Sequence, residues 1–382
     1  MDIRRRMLDI SSKSLINIDN YLTIEASEDG LTASLSLNTC EYCVGGDGNW
    51  KTLSAGTTTE SINSGQNLSF RGNLQPTSSN GIGTFTINKK CNLKGNCMSM
   101  LFGDNATDNY SLDGKNYAFY KLFKNCTNIV NVSSNFLPAT TLAANCYSNM
   151  FYGCTNLTTS PELPATTLAY RCYYGMFAGT DILPDCSNID FASSTVVASR
   201  GLSGLFYGTK VTDNDLERLL PKNNNGRFYL PVTTLADYCY YSMFYGCTNL
   251  TTSPELPATT LIDNCYGDMF SGCTNLSTAP ELPATTLASD CYSSMFYGCT
   301  NLTTAPELPA TRLAPYCYYS MFYRCNKLNY IKMLATDMSA SSCLNNWVGG
   351  VSSTGTFIKN AAMTSLPTGS NGIPSGWTVQ NA

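Results

Sequence analysis

LPATTLIDNCYGDMFSGCTNLSTAPE (256–281) runs without a gap into LPATTLASDCYSSMFYGCTNLTTAPE (282–307), and these two near-copies decide how the chain is read. The register around them is strict. Cys239, Cys265, Cys291, Cys317 and Cys343 stand 26 residues apart, and so do Cys247, Cys273, Cys299 and Cys325. A fixed period in this range marks a solenoid, in which each repeat covers only its neighbours. Function is then expected on side-chain ladders along the outer faces and not in one enclosed pocket.

Outward from this stretch, a Met-Phe or Leu-Phe pair marks each turn, from Leu122/Phe123 and Met150/Phe151 to Met321/Phe322, eight in all. The expected fold is α+β and β-rich: a solenoid of about eight turns over 120–345, interrupted by an irregular insertion at about 180–232. In the insertion Thr212 can cap a short helix, with Leu216, Leu219 and Leu220 on one face and Pro221 as its stop. Within a unit, NLTTAPELP has β character. ASDCYSSMFYGC reads as one or two helical turns, because Cys291, Met295 and Cys299 share a stripe that leaves Phe296 outside. Trp347 takes the place of Met321 one repeat later, so 346–382 reads as a terminal cap over the last core face.

Before the repeats, 1–18 reads as an N-terminal arm and 19–95 as a small antiparallel β-sandwich domain. Its segments YLTIEA, LTASLSL, WKTLSA, LSFRGNL and GTFTINKK alternate between Gly-rich breaks. Residues 96–119 form a junction.

Composition narrows the function classes. There is no histidine, which removes Ser-His-Asp and Cys-His catalysis and the commonest metal ligand. Charged residues make up 13% of the chain and the net charge is −4, so no basic footprint for nucleic acid is present. No run approaches the roughly 20 apolar residues of a membrane span, and the segment after Arg4–Arg6 is too polar for a signal-peptide core. The chain therefore reads as leaderless. Eighteen cysteines in such a chain read as reduced, buried ladders that pack as small apolar residues, with disulfides as the alternative.

Several rows are candidate sites. Tyr240, Tyr266, Tyr292 and Tyr318 follow the first cysteine, and Tyr245, Tyr297 and Tyr323 follow the Met-Phe pair. Tyrosine offers a large amphipathic surface at low entropic cost, which suits recognition, and a half-buried row packing on itself is the plainer alternative. Glu255, Glu281 and Glu307 form an acidic row that gains from a cation or from basic groups on a partner, or is simply hydrated. The asparagine that follows Cys-Thr (Asn128, Asn156, Asn249, Asn275, Asn301) reads as bonding backbone groups in the turn. Cys40, Cys43, Cys91 and Cys97 could assemble a four-thiolate zinc site that staples the β domain, a disulfide and free thiols being the other two readings.

The unit beginning at Leu282 resembles the BspA-type leucine-rich repeats of bacterial surface proteins, through Leu282, Pro283, Leu287, Phe296, Gly298, Cys299 and Leu302. The resemblance covers about 120–350 and implies a leucine-rich repeat solenoid. EASEDGLTASLS, GNWKTLSAG and LSFRGNL, with VSSTGTFIKN and GIPSGWTV in the tail, look like modules that flank such repeats in gut Bacteroides and their tailed phages. Together these resemblances imply attachment to a bacterial surface glycan or protein, with no catalytic residues and no cofactor. The leading expectation is a phage virion component, in a tail or fibre, made in the host cytoplasm and joined to other virion proteins through its N-terminal region. A purely structural virion protein and a bacterial cell-surface adhesin are the alternatives. Assembly with copies of itself is left open, and neither nucleic acid nor membrane insertion is expected.

Overall fold

A computed structural model of the chain describes residues 15–180, 198–364 and 366–382, with the backbone alone at 218 and 219. The insertion's 181–197 and all but the last four residues of the expected arm lie outside the described residues. The fold is β-rich with few helices.

Its organising element is the segment expected to be helical. In the turn that starts at Leu282, the N–H groups of Asp290, Tyr292, Ser294, Phe296 and Gly298 donate to Pro315, Cys317, Tyr319, Met321 and Tyr323 of the next turn, at 2.7 to 3.2 Å. The residues between them donate backwards by three, from Cys291 to Ala288 and onward to Cys299, which donates to Phe296. The carbonyls of Cys291, Ser293, Met295 and Tyr297 accept from the turn before. Every N–H from 290 to 299 thus has a partner without a helix, and the helical reading is corrected to a ribbon of overlapping tight turns. Every fourth residue is left-handed: φ is 54° at Asp290, 53° at Ser294 and 69° at Gly298. That conformation costs a non-glycine residue roughly 1–2 kcal/mol. Each of these residues uses its N–H to bond the next turn, which offsets the cost, so that Arg171, Arg200, Tyr238, Tyr316 and Arg324 take the same conformation beside the Asn, Asp and Gly that adopt it most readily.

This geometry sorts side chains with a period of four. Cys291–Tyr292, Met295–Phe296 and then Cys299 point inward and are buried, while Ser293–Ser294 and Tyr297–Gly298 face outward. Cys291, Met295 and Cys299 therefore mimic a helical stripe, and Phe296 is buried because the inward positions come in pairs. Elsewhere in the unit neighbouring turns meet as parallel bridges, Thr252 with Thr278 and Thr260 with Thr286.

The N-terminal region supplies the first layer of this stack. Strands β1 (Leu22–Ala26), β2 (Ala33–Leu35), β3 (Cys40–Val44), β4 (Lys51–Leu53), β5 (Asn67–Arg71), β6 (Phe85–Ile87) and β7 (Cys91–Lys94) form an antiparallel sheet of order β4-β3-β5-β1-β7 and a separate β2-β6 pair. Leu22, Ile24, Leu68, Phe70 and Leu93 of the first and Leu35, Phe85 and Ile87 of the second enter one hydrophobic core. After the short helix α1 (Ser99–Phe102), β8 (Ile129–Val132) joins β7 in parallel, so the antiparallel sheet passes directly into the stacked turns. The side chains are continuous too. Phe85 stacks on Phe123 at 5.5 Å, Phe123 on Phe151 at 5.7 Å and Phe151 on Phe177 at 5.8 Å.

The insertion is docked where it is described. Helix α2 (Asp213–Leu219) starts at a capping box between Thr212 and Asp215, and Leu216 and Leu220 are buried. Asp213 accepts from the Thr251 and Thr252 N–H groups of the following turn at 3.0 and 3.1 Å. At the far end β9 (Tyr330–Met333), β10 (Thr356–Lys359) and β11 (Thr378–Asn381) run parallel, in the order β11-β10-β9. Trp347 closes the core there, lying 6.5 Å from Tyr318 and 6.2 Å from Phe322, with its indole N–H donating to Gly372 at 2.9 Å.

All cysteines of the described residues are free and buried. Those that end a ribbon carry a specific bond: the thiols of Cys273, Cys299 and Cys325 donate to the Phe244, Phe270 and Phe296 carbonyls one turn back, at 3.0, 3.1 and 2.9 Å. Burial pushes the thiols of Cys239, Cys247, Cys265, Cys317 and Cys325 up to about 12. A group whose pKa is raised by folding stabilises the fold below its unfolded pKa and loses that contribution as pH rises through the folded one. The native protein should therefore resist a thiol-specific chromogenic reagent at pH 8 and react fully in denaturant. It should also unfold cooperatively between about pH 9 and 12, with thiolate and tyrosinate absorbance rising together.

Candidate functional site

The two faces of the ribbon settle where each tyrosine row lies. Tyr240, Tyr266, Tyr292 and Tyr318 occupy the inward positions, each at most 1% exposed, and stack at 5.9, 6.0 and 6.2 Å. The reading of this row as a ligand surface is corrected, because the rings are core. The Tyr266 and Tyr173 hydroxyls are buried with no hydrogen-bond partner among the described residues. The other row faces outward. Tyr245, Tyr297 and Tyr323 are half-buried, Tyr152 and Tyr207 are 37% and 41% exposed, and Tyr297 and Tyr323 lie 5.2 Å apart.

The outward face also holds tyrosines that sequence reasoning did not single out, among them Tyr170, Tyr174, Tyr238, Tyr241, Tyr316 and Tyr319. They do not recur in every copy. The signal that could have found them is the period-four pairing, which places the two residues on either side of each Cys-Tyr pair outside. Cations on this face lie over rings: Arg200 over Tyr238 at 4.0 Å, Lys124 over Tyr152 at 4.9 Å, Arg324 over Tyr323 at 5.4 Å and Arg171 over both Tyr170 and Tyr174. Such contacts hold the cation and the ring together at a modest gain.

At the middle of the face one carboxylate departs from the pattern. Asp268 sits at a left-handed position, φ 53°, in the turn that follows Tyr241. The Tyr241 ring lies on Gly267, where a Cβ would meet it at 3.0 Å, so the glycine lets the ring lie there undisplaced. Burial pushes the Asp268 carboxyl above its usual range against the opposing effect of the Tyr241 phenol, and it pushes that phenol up as well.

The acidic row finds its basic groups within the chain. Glu255 pairs with Arg227 at 2.6 Å and Glu307 with Lys332 at 3.0 Å, while Glu281 is exposed between them and its N–H donates to Glu255 Oε2 at 3.3 Å. The expectation that this row draws its compensation from a cation or a partner is corrected at both ends. The asparagines bridge turns: the Asn156 amide donates to the Thr127 carbonyl at 2.8 Å and the Asn301 amide to Asn275 Oδ1 at 3.1 Å.

The four-thiolate zinc site is also corrected. Cys40 and Cys43 lie on β3 and Cys91 on β7, with β5 and β1 between, which separates the strands by about 14 Å at the usual strand spacing. The Cys43 thiol donates instead to Asp47 at 3.2 Å. Among the described residues no three His, Cys, Asp or Glu side chains are grouped to hold a metal, and no helix is long and apolar enough to cross a membrane.

No protein-family model matches this chain, and no curated protein does. Among solved structures, the chain is similar to a leucine-rich repeat protein from Bacteroides ovatus, determined at 1.19 Å resolution. The two are 15% identical over 69% of this chain and 76% of that one, with a TM-score of 0.26. A superposition this loose carries no argument for fold or function.

Two outcomes test the placement of these groups. Tyr266→Ala should cost about 3–5 kcal/mol in denaturant unfolding, as for a large aromatic removed from a core, while Tyr266→Phe should be about 1 kcal/mol more stable than the parent because it deletes an unpartnered buried hydroxyl. Asp268→Asn should raise the melting temperature at pH 7. A raised carboxyl pKa means that the folded state loses stability as pH rises through it, so the advantage of the variant should shrink towards zero below the ordinary aspartate range.

Proposed function

We propose that this chain is a non-catalytic adhesion or receptor-binding protein, a leucine-rich repeat solenoid that holds one broad outward face towards a bacterial surface glycan or protein. The observation that carries the reading is that face. Exposed and half-exposed tyrosines are fixed in register by the turn ribbon, several of them with basic side chains held over their rings. Pre-ordered aromatic surface of this kind binds without a large entropic loss. The N-terminal layer and its preceding segment are assigned the opposite task, joining the chain to other virion proteins. The context we favour is a phage tail or fibre, made in the host cytoplasm, with a bacterial cell-surface adhesin as the alternative setting.

A rigid structural role in the particle is the competing reading, and cell binding separates the two. Fluorescently labelled full-length chain should bind intact cells of a susceptible bacterial host saturably and should slow phage adsorption. Binding no greater than that of a labelled control protein, with adsorption unchanged, would assign the stack to cladding.

A further inference from the structure

Five turns keep threonine at one position: Thr141, Thr167, Thr234, Thr260 and Thr286. The next turn holds Arg312 there, bridged in parallel to Asp337 of the turn after it, as Thr260 is to Thr286. The Arg312 side chain is 82% exposed and its Nε stands 3.4 Å from Asp337 Oδ2, while no guanidinium nitrogen is hydrogen-bonded among the described residues. An exposed pair of this kind adds little to stability, so the fold does not require the arginine. Asp337 is engaged elsewhere, its Oδ1 accepting from the Ser339 N–H and hydroxyl at 3.1 and 2.7 Å. The other arginines whose side chains are described are also engaged: Arg71, Arg171, Arg200 and Arg324 lie over rings, and Arg227 is 2.6 Å from Glu255.

Arg312 lines a groove of about 500 Å³ together with Thr285, Thr286, Leu287, Thr311 and Ser339. The three threonines are exposed, and their hydroxyls make no hydrogen bond among the described residues. Leu287 is half-buried, whereas its counterparts Leu261 and Leu313 are buried. A guanidinium fork takes a carboxylate in two parallel charge-assisted bonds, and threonine hydroxyls, which both donate and accept, match the hydroxyls that surround a carboxylate on a sugar ring. Leu287 offers carbon to the ring's C–H groups. A peptide carboxylate would use the fork but brings no hydroxyls to the threonines. We propose that this groove is a subsite for an acidic sugar unit of a surface polysaccharide, with Arg312 holding its carboxylate and Thr285, Thr286 and Thr311 its hydroxyls. None of the outward tyrosines lines the groove, so it adds a second surface to the binding reading above and does not depend on the first.

The test is isothermal titration calorimetry of the full chain with oligogalacturonate and oligomannuronate, with maltotetraose and tetraglutamate as controls. At least one oligouronate should bind saturably, and more weakly as salt is raised, while both controls bind roughly tenfold less tightly or not at all. Arg312→Thr installs the residue of the five preceding turns, so it should keep the parent's melting temperature and weaken oligouronate binding by roughly tenfold or more. Arg324→Gly likewise installs the residue of Gly246, Gly272 and Gly298 and removes an equal charge, and it should change binding by less than about twofold. Asp337→Asn keeps an oxygen for Ser339 but removes the competing carboxylate, so it should tighten binding by about two- to fivefold, a gain that a merely structural ion pair does not give. Binding of neither oligouronate, equal binding of tetraglutamate, or equal losses in Arg312→Thr and Arg324→Gly would each overturn the subsite. Saturable host-cell binding alongside any of these leaves the binding reading standing, and its absence overturns that reading whatever the groove does.

Discussion

The structure depends on how peptide groups are shared between turns. Along the ribbon of 290–299, alternate N–H groups bond within the turn and across to the next, so every N–H there is used and no regular helix or strand is needed. That alternation governs the rest of the stack. It fixes the left-handed residue at every fourth position and sets inward and outward side chains in pairs. It also forces identical side chains into columns, which is why phenylalanine, tyrosine and cysteine each stack on copies of themselves. The thiols add a bond of their own by reaching back to a phenylalanine carbonyl. Cysteine therefore serves as a small buried donor here, a role that alanine cannot take.

Ends are the weak points of a stack, and the chain closes them differently. At the N-terminal end the β7–β8 pairing and the Phe85–Phe123 contact give the first turn a finished sheet to lie on. At the other end Trp347 lies against the last members of the tyrosine and phenylalanine columns, Tyr318 and Phe322. The outward face between these ends is rigid because its backbone is bonded on both sides, and this pre-order makes a tyrosine surface useful for recognition.

Much of this was legible in the sequence, and the failures have physical causes. The Thr212 cap could be read directly, because capping chemistry is a local signal. The helical reading failed at Phe296, the one residue its stripe could not hold. A period of four with paired inward positions resembles 3.6 closely enough to mislead until Tyr292 and Phe296 are counted as core. The same error put Tyr240, Tyr266, Tyr292 and Tyr318 on the surface and overlooked Tyr170, Tyr241 and Tyr316. Cys40, Cys43 and Cys91 were read as ligands because spacing along the chain carries no information about sheet order, and β3 and β7 are not neighbours.

The central claim is that the ribbon divides the tyrosines into a sealed row and an accessible one. Limited nitration of the native full-length chain with tetranitromethane, followed by peptide mass spectrometry, tests it most directly. The account predicts modification at Tyr152, Tyr170, Tyr207 and Tyr316 and none at Tyr240, Tyr266, Tyr292 and Tyr318 until the protein is denatured. Nitration of the second group at native pH, at rates comparable to the first, would contradict it.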